Sequence, residues 1–391
     1  MKPWPTSQGE GVAVSSIINW MGGWPKEGLV SSSDWEERVE AAAGELAAEE
    51  FGLGRRESGS VREEKLKEQF AKGLLHGKTG GSGSRIKFTK GADGALSWII
   101  GEALQPGDTV LTERLTSRTA LQAFRKAGMR VEAVDGDRKG MDPEALTTAL
   151  FRYRPRMVYV APSCTEPEGA KWSVEHKAAV FHRCREAGVL LVVDDRQEML
   201  LYEAEEPASA QRLLEPGVLS IGQLPPGLIA GSRVGWIAGT AAPVNRPLFS
   251  AGENARKHAL GPIEQRALSG LIEEQPLEPL LDMLRIQCRE RKRMMTDQLS
   301  RQGIDELAWA EPRGGLHLWL VLPPGLDGEA LLRGAWLKGV IFQPGAPFFT
   351  KDPKPNTVRV THAFADERQI RQGVARLAES IEEFTGRWSR N

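Results

Sequence analysis

The sequence lacks the features that mark disulfide-stapled, metal-binding and membrane proteins. Its three cysteines, Cys164, Cys184 and Cys288, are widely separated in 391 residues and form no C-x-x-C pair. This spacing argues against both a disulfide framework and a zinc site. The strongest apolar run, residues 189–193, is far too short to span a bilayer, and residues 1–25 contain no apolar signal region. We therefore expect a soluble cytoplasmic protein with no metal and no membrane partner.

An excess of charge of either sign is also missing. The 51 lysines and arginines balance 52 aspartates and glutamates, which leaves a net charge of -1. Such a chain has no general electrostatic attraction to nucleic acid or to anionic membranes. Neither G-x-S-x-G nor G-x-G-x-x-G occurs at a strand-to-helix turn, which disfavours hydrolase and dinucleotide-binding interpretations. The composition favours a small molecule or another protein as the partner.

From residue 86 onward, short apolar runs alternate with helical stretches. Runs such as TVLT at Thr109, MVYV at Met157 and VLLVV at Val189 contain little but apolar residues. Strands buried on both faces have such runs, and intervening helices provide the crossovers between parallel strands. The pattern predicts an α/β fold with a mostly parallel sheet and flanking helices. Ligands of such sheets bind beyond the carboxyl ends of the strands, so the loops there should carry the site.

The pattern changes before and after this sheet. Ser33 has capping-box spacing to Glu36 ahead of an Ala/Glu-rich helix, and residues 76–85 are typical of a flexible loop. After about residue 260 the pattern is that of a smaller α+β unit, whose final helix is capped by Asp366 and Gln369. The predicted organisation is an N-terminal arm and helix over residues 1–60, a large α/β domain over 61–260 and a small α+β domain over 261–391.

Several motifs follow one another at consistent spacing from about residue 17 to the end of the chain. They include TKGADGALSWIIGEALQPGDTVL, RYRPRMVYVAPSCTEPEGAKWS, GVLLVVDD, GSRVGW, GGLHLWLVLP and VRVTHAF. Together they resemble the class I and II aminotransferases, which are pyridoxal-phosphate (PLP) enzymes of fold type I. The branch most resembled contains 2-aminoadipate aminotransferases and the catalytic domains of MocR-type regulators. The resemblance implies a homodimer that acts on an amino or keto acid.

The resemblance assigns roles to residues that match the family's motifs. Asp194 matches the carboxylate that pairs with the pyridine nitrogen of the cofactor, and Arg233 matches an arginine that holds the cofactor phosphate. Gly91-Ala92-Asp93 matches the helix start whose backbone N–H groups bind that phosphate. Arg359 matches the arginine that grips the substrate carboxylate. An ordinary strand-end residue is the alternative interpretation for Asp194 and for Arg233.

Pro226 stands where the resemblance places the lysine that bonds the cofactor. Proline has no amine for that linkage and no group that could shuttle a proton, so both functions are lost at this position. The carboxylate of Asp93 replaces a neutral group beside the phosphate. At about 4 Å and an effective dielectric of about 20 this costs on the order of 4 kcal/mol, or roughly three decades of affinity. We expect no PLP in the site unless a lysine arrives from elsewhere.

Glu166 and Arg196 are the candidates for altered chemistry. The resemblance places them where an asparagine and a tyrosine bond the phenolic oxygen of the cofactor. They could converge beside Asp194 to form a charged pocket for a zwitterionic or polycarboxylate ligand. Alternatively, they could form an internal salt bridge that fills a vacated cavity. The sequence leaves both possibilities open.

Three functions are compatible with these residues. The first is a PLP-independent protein, enzyme or pseudoenzyme, that binds or converts an amino-acid-like carboxylate in the vestigial site. The second is a working PLP aminotransferase whose lysine is supplied from elsewhere. The third is a non-catalytic subunit that pairs with an active homologue.

Overall fold

The computed structural model describes residues 17–22, 27–51, 59–73, 86–203, 217–240 and 252–388. The predicted loop at residues 76–85 and most of the predicted N-terminal arm lie outside these ranges. The helices are α1 (Ser32–Glu50), α2 (Gly59–Gly73), α3 (Gly91–Ala103), α4 (Arg118–Lys126), α5 (Pro143–Tyr153), α6 (Val174–Glu186), α7 (Glu253–His258), α8 (Pro262–Glu274), α9 (Leu277–Arg301), α10 (Gly328–Leu337) and α11 (Glu367–Trp388). Among the described residues, none of these helices combines the length and apolarity needed to cross a membrane.

The strands fall into two main sheets and two short pairs. The strands are β1 (Ile18–Asn19), β2 (Ile86–Lys90), β3 (Thr109–Glu113), β4 (Arg130–Val134), β5 (Gly136–Asp137), β6 (Gly140–Met141), β7 (Met157–Val160), β8 (Leu190–Asp194), β9 (Val218–Gln223), β10 (Val234–Thr240), β11 (Ala308–Trp309), β12 (His317–Val321), β13 (Val340–Ile341), β14 (Gln343–Pro344) and β15 (Thr357–Thr361). The larger sheet has seven strands in the order β2-β10-β9-β8-β7-β3-β4. The neighbouring strands β4, β3, β7, β8 and β9 pair in parallel, whereas β10 is antiparallel to both of its neighbours. The prediction of a mostly parallel sheet is confirmed.

Strand β8 shows why the central runs are apolar at every position. Leu190 and Val192 pack in a cluster with α3 and α4 on one face of the sheet. Leu191 and Val193 pack with α5 and α6 on the other face. Successive side chains of a strand point to opposite faces, so a sheet covered by helices on both sides needs apolar residues throughout. The run ends at Asp194, which is the residue at the carboxyl end of the strand.

The smaller sheet has the order β11-β12-β15-β14 and is antiparallel. Apolar side chains from this sheet, α9, α10 and α11 form its core. Helix α11 begins with the predicted reciprocal caps, because the Asp366 N–H donates to Gln369 Oε1 at 3.0 Å and the Gln369 N–H donates to Asp366 Oδ1 at 2.7 Å. The predicted smaller α+β unit is therefore present. Its central strand β15 carries Arg359 into the site.

The N-terminal segment packs into the core of this smaller unit, which the sequence analysis did not anticipate. Strand β1 pairs in parallel with β13, and Trp20 is 1% exposed in the same core. Helix α1 is capped by Ser31, whose hydroxyl accepts the Asp34 N–H at 3.1 Å, so the predicted cap at Ser33 is wrong by two residues. Three consecutive serines offer the same local signal, and packing decides among them. The domain boundaries at residues 60 and 260 stay a prediction.

Candidate active site

The candidate site lies where β7 and β8 end, around Asp194. The side chain of Asp194 is 3% exposed, and the Tyr159 hydroxyl of β7 donates a hydrogen bond to its Oδ2 atom. Burial raises the pKa of Tyr159 well above its ordinary value, and Asp194 adds to the shift, so the phenol stays a donor. The sequence analysis missed Tyr159. The available signal was a hydroxyl in an otherwise apolar strand, because a buried phenol needs a partner.

Arg196 is the second partner of Asp194. Its Nε atom donates to Oδ1 at 2.9 Å and to Oδ2 at 2.8 Å, and its backbone N–H donates to Oδ1 at 3.1 Å. At the far end of the guanidinium, Nη1 donates to Asp93 Oδ1 at 2.8 Å. Burial opposes the charge, yet Asp194 and further anionic groups raise the pKa of Arg196 well above its ordinary value. A permanent cation therefore joins the end of β8 to the first turn of α3.

Helix α3 begins directly after β2 and presents its first N–H groups to this site. Gly91 has a φ of +74°, which glycine adopts without steric cost. The Ala92 N–H donates to Gln223 Oε1 at 3.2 Å. Gln223 is the last residue of β9 and is another site residue that the sequence analysis missed, although it lies three residues before Pro226. One N–H group that the resemblance assigned to a phosphate is thus bonded to the protein.

Asp93 lies in the first turn of α3 and is held from two sides. It accepts from the Thr119 hydroxyl at 3.0 Å as well as from Arg196. Burial works against its ionisation, but the cation of Arg196 and, to a smaller extent, that of Arg233 lower the pKa of Asp93 on balance. The charge of Arg233 therefore acts on Asp93 at the start of α3, and its phosphate role stays a prediction. The side chain at this helix start is nonetheless an anion.

Gly235 of β10 allows the close approach of that strand to the start of α3. A Cβ atom at position 235 would lie 2.4 Å from the carbonyl carbon of Gly91. We expect Gly235→Ala to lower the free energy of unfolding by about 1–3 kcal/mol, because backbone cannot move aside as a side chain can. Gly44→Ala in α1, where nothing lies within 4 Å, is the control and should stabilise by about 0.5–1 kcal/mol. Urea unfolding midpoints that move equally in both variants would contradict this interpretation.

Pro226 lies in a buried turn that follows β9. The Leu228 N–H donates to the Pro225 carbonyl at 3.1 Å, and Gly227 has a φ of +93°. This is the signature of a type II turn, in which proline suits the second position and glycine the third. The turn needs nothing from residue 226 except its fixed φ angle. No side-chain donor or base is present at this position.

Glu166 and Arg359 form the second ion pair of the site. Arg359 Nη1 donates to Glu166 Oε1 at 2.5 Å, and the two side chains are 8% and 15% exposed. The guanidinium lies over the Phe348 ring, with its central carbon 4.8 Å from the ring centroid. Burial lowers the pKa of Arg359, while Glu166 acts in the opposite direction. The charge of Glu166 also contributes to the raised pKa of Tyr159, the residue that bonds to Asp194.

Glu166 and Arg196 have different partners in this geometry. Within the described residues, Glu166 bonds to Arg359, and Arg196 bonds to Asp194 and Asp93. The internal salt bridge between Glu166 and Arg196 is therefore wrong, because each of these groups has a different partner. The charged pocket for a ligand around Asp194 and Arg359 stays a prediction. Both cations of that pocket are already paired with carboxylates of the chain.

The family model for aminotransferase class I and II matches residues 36–377 of the chain. The chain belongs to the class I and II aminotransferase family. It is 31% identical over 300 residues to the 2-aminoadipate transaminase of Thermus thermophilus. The matched region covers 76% of this chain and 75% of that protein. It is 24% identical over 307 residues to an uncharacterized HTH-type transcriptional regulator, YdfD, of Bacillus subtilis, covering 78% of this chain and 63% of that protein.

Solved aminotransferase structures share the fold. The α-aminoadipate aminotransferase LysN of Thermus thermophilus, complexed with N-(5'-phosphopyridoxyl)-L-leucine, superimposes with a TM-score of 0.77 at 26% identity, covering 95% of this chain and 94% of that one. A kynurenine aminotransferase of Pyrococcus horikoshii gives a TM-score of 0.78 at 24% identity, covering 95% of this chain and 92% of that one. The predicted fold-type-I architecture and aminotransferase family are confirmed.

The aminotransferase family implies PLP as cofactor, and the donor set of this chain does not match that group. Both oxygens of Asp194 are engaged by Tyr159 and by the internal cation Arg196. The helix start carries the carboxylate of Asp93, and a phosphate there would meet that charge. Residue 226 offers no amine. We derive no chemical step through this cofactor.

Proposed function

We propose that this aminotransferase-family protein works without PLP and binds an amino-acid-like carboxylate in the vestigial active site. The observation that carries the proposal is the guanidinium of Arg196, which spans from Asp194 to Asp93. In the family resemblance those two positions face the ring nitrogen and the phosphate of the cofactor. The Arg196 cation neutralises the Asp194 carboxylate, which the protonated pyridine ring of a bound cofactor would otherwise need as its partner. With Pro226 in the lysine position, covalent capture of an aldehyde has no amine to use.

Arg359 supplies the recognition of the ligand. It is 7% exposed, and a buried guanidinium binds carboxylates more strongly than an exposed one because water competes less. Arg118 also acts electrostatically on Arg359, which adds positive charge beside that anchor. A ligand that also carries an amino group could place it near the carboxylates of Asp93 and Glu166. These charges suit amino and keto acids, which is the ligand class that the family resemblance implies.

We assign ligand binding, and no transamination, to a cytoplasmic homodimer. The proton transfers of transamination need a base beside the reacting carbon, and Pro226 supplies none. The homodimer follows from the family resemblance and is measurable by light scattering of the purified protein. A mass equal to one chain would remove that part of the proposal.

Absorption spectra and thermal unfolding test this function together. We expect purified protein incubated with PLP and then desalted to show no visible band that borohydride removes, whereas an active family member treated in parallel should show one. We expect amino or keto acids to raise the melting temperature, because a ligand at about 100 times its Kd stabilises the native state by about 2.7 kcal/mol. A borohydride-sensitive band would identify a working PLP enzyme and refute the proposal. Co-purification with a lysine-bearing homologue would indicate a non-catalytic subunit instead.

A further inference from the structure

Glu166 is presented to Arg359 by a loop, residues 161–172, that is anchored at its base. Glu113 at the end of β3 accepts the Ala161 N–H at 3.0 Å and the Trp172 indole N–H at 2.9 Å. These bonds tie both ends of the loop to one carboxylate. The Glu166 side chain therefore has little backbone freedom to lose when it pairs, which makes it an effective resident partner for a cation.

Arg359 is equally fixed on the other side of the pair. It lies on β15, between Trp319 of β12 and Gln343 of β14 in the register of the smaller sheet. Its guanidinium lies over Phe348 at 4.8 Å. A cation held by a central strand and an aromatic ring stays in place when its carboxylate partner leaves. An incoming acid would therefore meet a preformed anchor.

The pairing leaves part of the guanidinium unused. Glu166 engages Nη1 alone, and Nη2 donates to the Met21 carbonyl at the long distance of 3.4 Å. The Nε atom is buried without a hydrogen-bond partner in the described part of the chain. The strong mode of arginine–carboxylate pairing is a two-bond fork, and a buried N–H without a partner is costly. A carboxylate that bonded two of these atoms would satisfy Arg359 better than Glu166 does.

We infer that Glu166 is a tethered carboxylate that occupies Arg359 until the carboxylate of a ligand replaces it. The inference rests on the proposed function, in which Arg359 is the anchor of the ligand. Glu166 then sets the affinity of the site, because every acid must compete with an anion of the chain itself. Acids that cannot make the two-bond fork gain too little to displace it.

Calorimetric titration of Glu166→Gln tests this inference, with L-glutamate and 2-oxoglutarate as probes. We expect the variant to bind at least one probe about tenfold more tightly than the wild type, since the competing charge is gone. Without ligand the variant should melt at a lower temperature, because Arg359 loses its ion pair. Glu168→Gln is the matched control, because Glu168 lies in the same loop and faces Arg138 and Lys354. It should bind like the wild type.

The outcomes separate this inference from the function on which it rests. Wild-type binding that is unchanged or weakened in Glu166→Gln would overturn the inference and leave the proposed function standing. No binding of either probe by any variant would remove both. Isoglutamine, the α-amide of glutamate, should gain nothing from the substitution, and an equal gain would show that Arg359 is not the anchor. If Glu166→Gln does not fold, Glu166→Asp withdraws the same carboxylate by one methylene and should tighten binding in the same direction.

Discussion

Replacing Arg196 by alanine should lower the free energy of unfolding by about 3–5 kcal/mol, which is the usual cost of removing one member of a buried ion pair. The side chain of Asp194 is 3% exposed, and in the variant it would keep its charge without its cation. The Tyr159 hydroxyl and the backbone N–H of residue 196 would remain as donors, but two neutral donors cannot balance a buried carboxylate. Urea unfolding followed by circular dichroism measures the change directly.

Three further variants make this prediction specific to the buried charge. Arg183→Ala removes an arginine whose pair with Glu144 is exposed, and it should cost no more than about 1 kcal/mol. Adding Asp194→Asn to Arg196→Ala should restore part of the lost stability, since the uncompensated charge is then gone. Arg196→Lys should fall between the wild type and the alanine variant because it keeps the charge and loses the fork. An alanine variant as stable as Arg183→Ala would show that Arg196 is dispensable.

The parts of this molecule that sequence could predict are those set by local pattern. The apolar run at residues 189–193 predicted a strand buried on both faces, and Asp194 at its end falls at the edge of the sheet. Pro226 and Gly227 are typical of the turn that they form. Arg359, which the family motifs matched to a carboxylate-binding arginine, lies on strand β15 of the smaller sheet. Each of these inferences needed only neighbouring residues and spacing.

The partners of the charged residues could not be predicted in the same way. Arg196 reaches Asp93, which is 103 residues away, and Arg359 reaches Glu166, which is 193 residues away. The sequence analysis placed the right charges in one site, yet it offered the wrong pair, because several combinations satisfy charge balance. Only the relative positions of the strand ends select among them. Tyr159 and Gln223 were missed for the same reason, since their roles depend on partners distant in the chain.

The two ion pairs, Arg196 with Asp194 and Glu166 with Arg359, neutralise charges of the site in the same way. In the family resemblance, Asp194 and Arg359 match residues that bind a group of the cofactor and of the substrate, and each is paired with an opposite charge of this chain. Arg196 provides the cation beside Asp194, and Glu166 provides the anion beside Arg359. A site whose charges are satisfied internally is stable without cofactor, and any ligand must compete with groups already present.

Buried His362, three residues after Arg359, should make the protein less stable in acid. It is fully buried, its Nε2 atom is 3.4 Å from the Tyr202 hydroxyl, and its Nδ1 atom has no partner among the described residues. Burial lowers the pKa of His362 to about 3, with Lys292 and Arg291 acting in the same direction. The unfolded chain, in which a histidine has a pKa of about 6.5, therefore binds the proton more readily. The stability due to neutral His362 is complete above that value and is lost as the pH falls toward 3.

Relative to His362→Gln, the wild type should lose about 1.4 kcal/mol of stability for each pH unit below about 6.5. Urea midpoints of both proteins across this range give the difference, in which the contributions of other groups cancel. That cancellation matters because burial raises the pKa of Glu113 to about 7. Protonation of this carboxyl therefore stabilises the folded protein as the pH falls from about 7 to about 4.5. His182→Gln removes an exposed histidine of α6, and its stability should follow that of the wild type across the same pH range. Parallel curves for the wild type and His362→Gln would show that His362 takes up its proton without unfolding the protein.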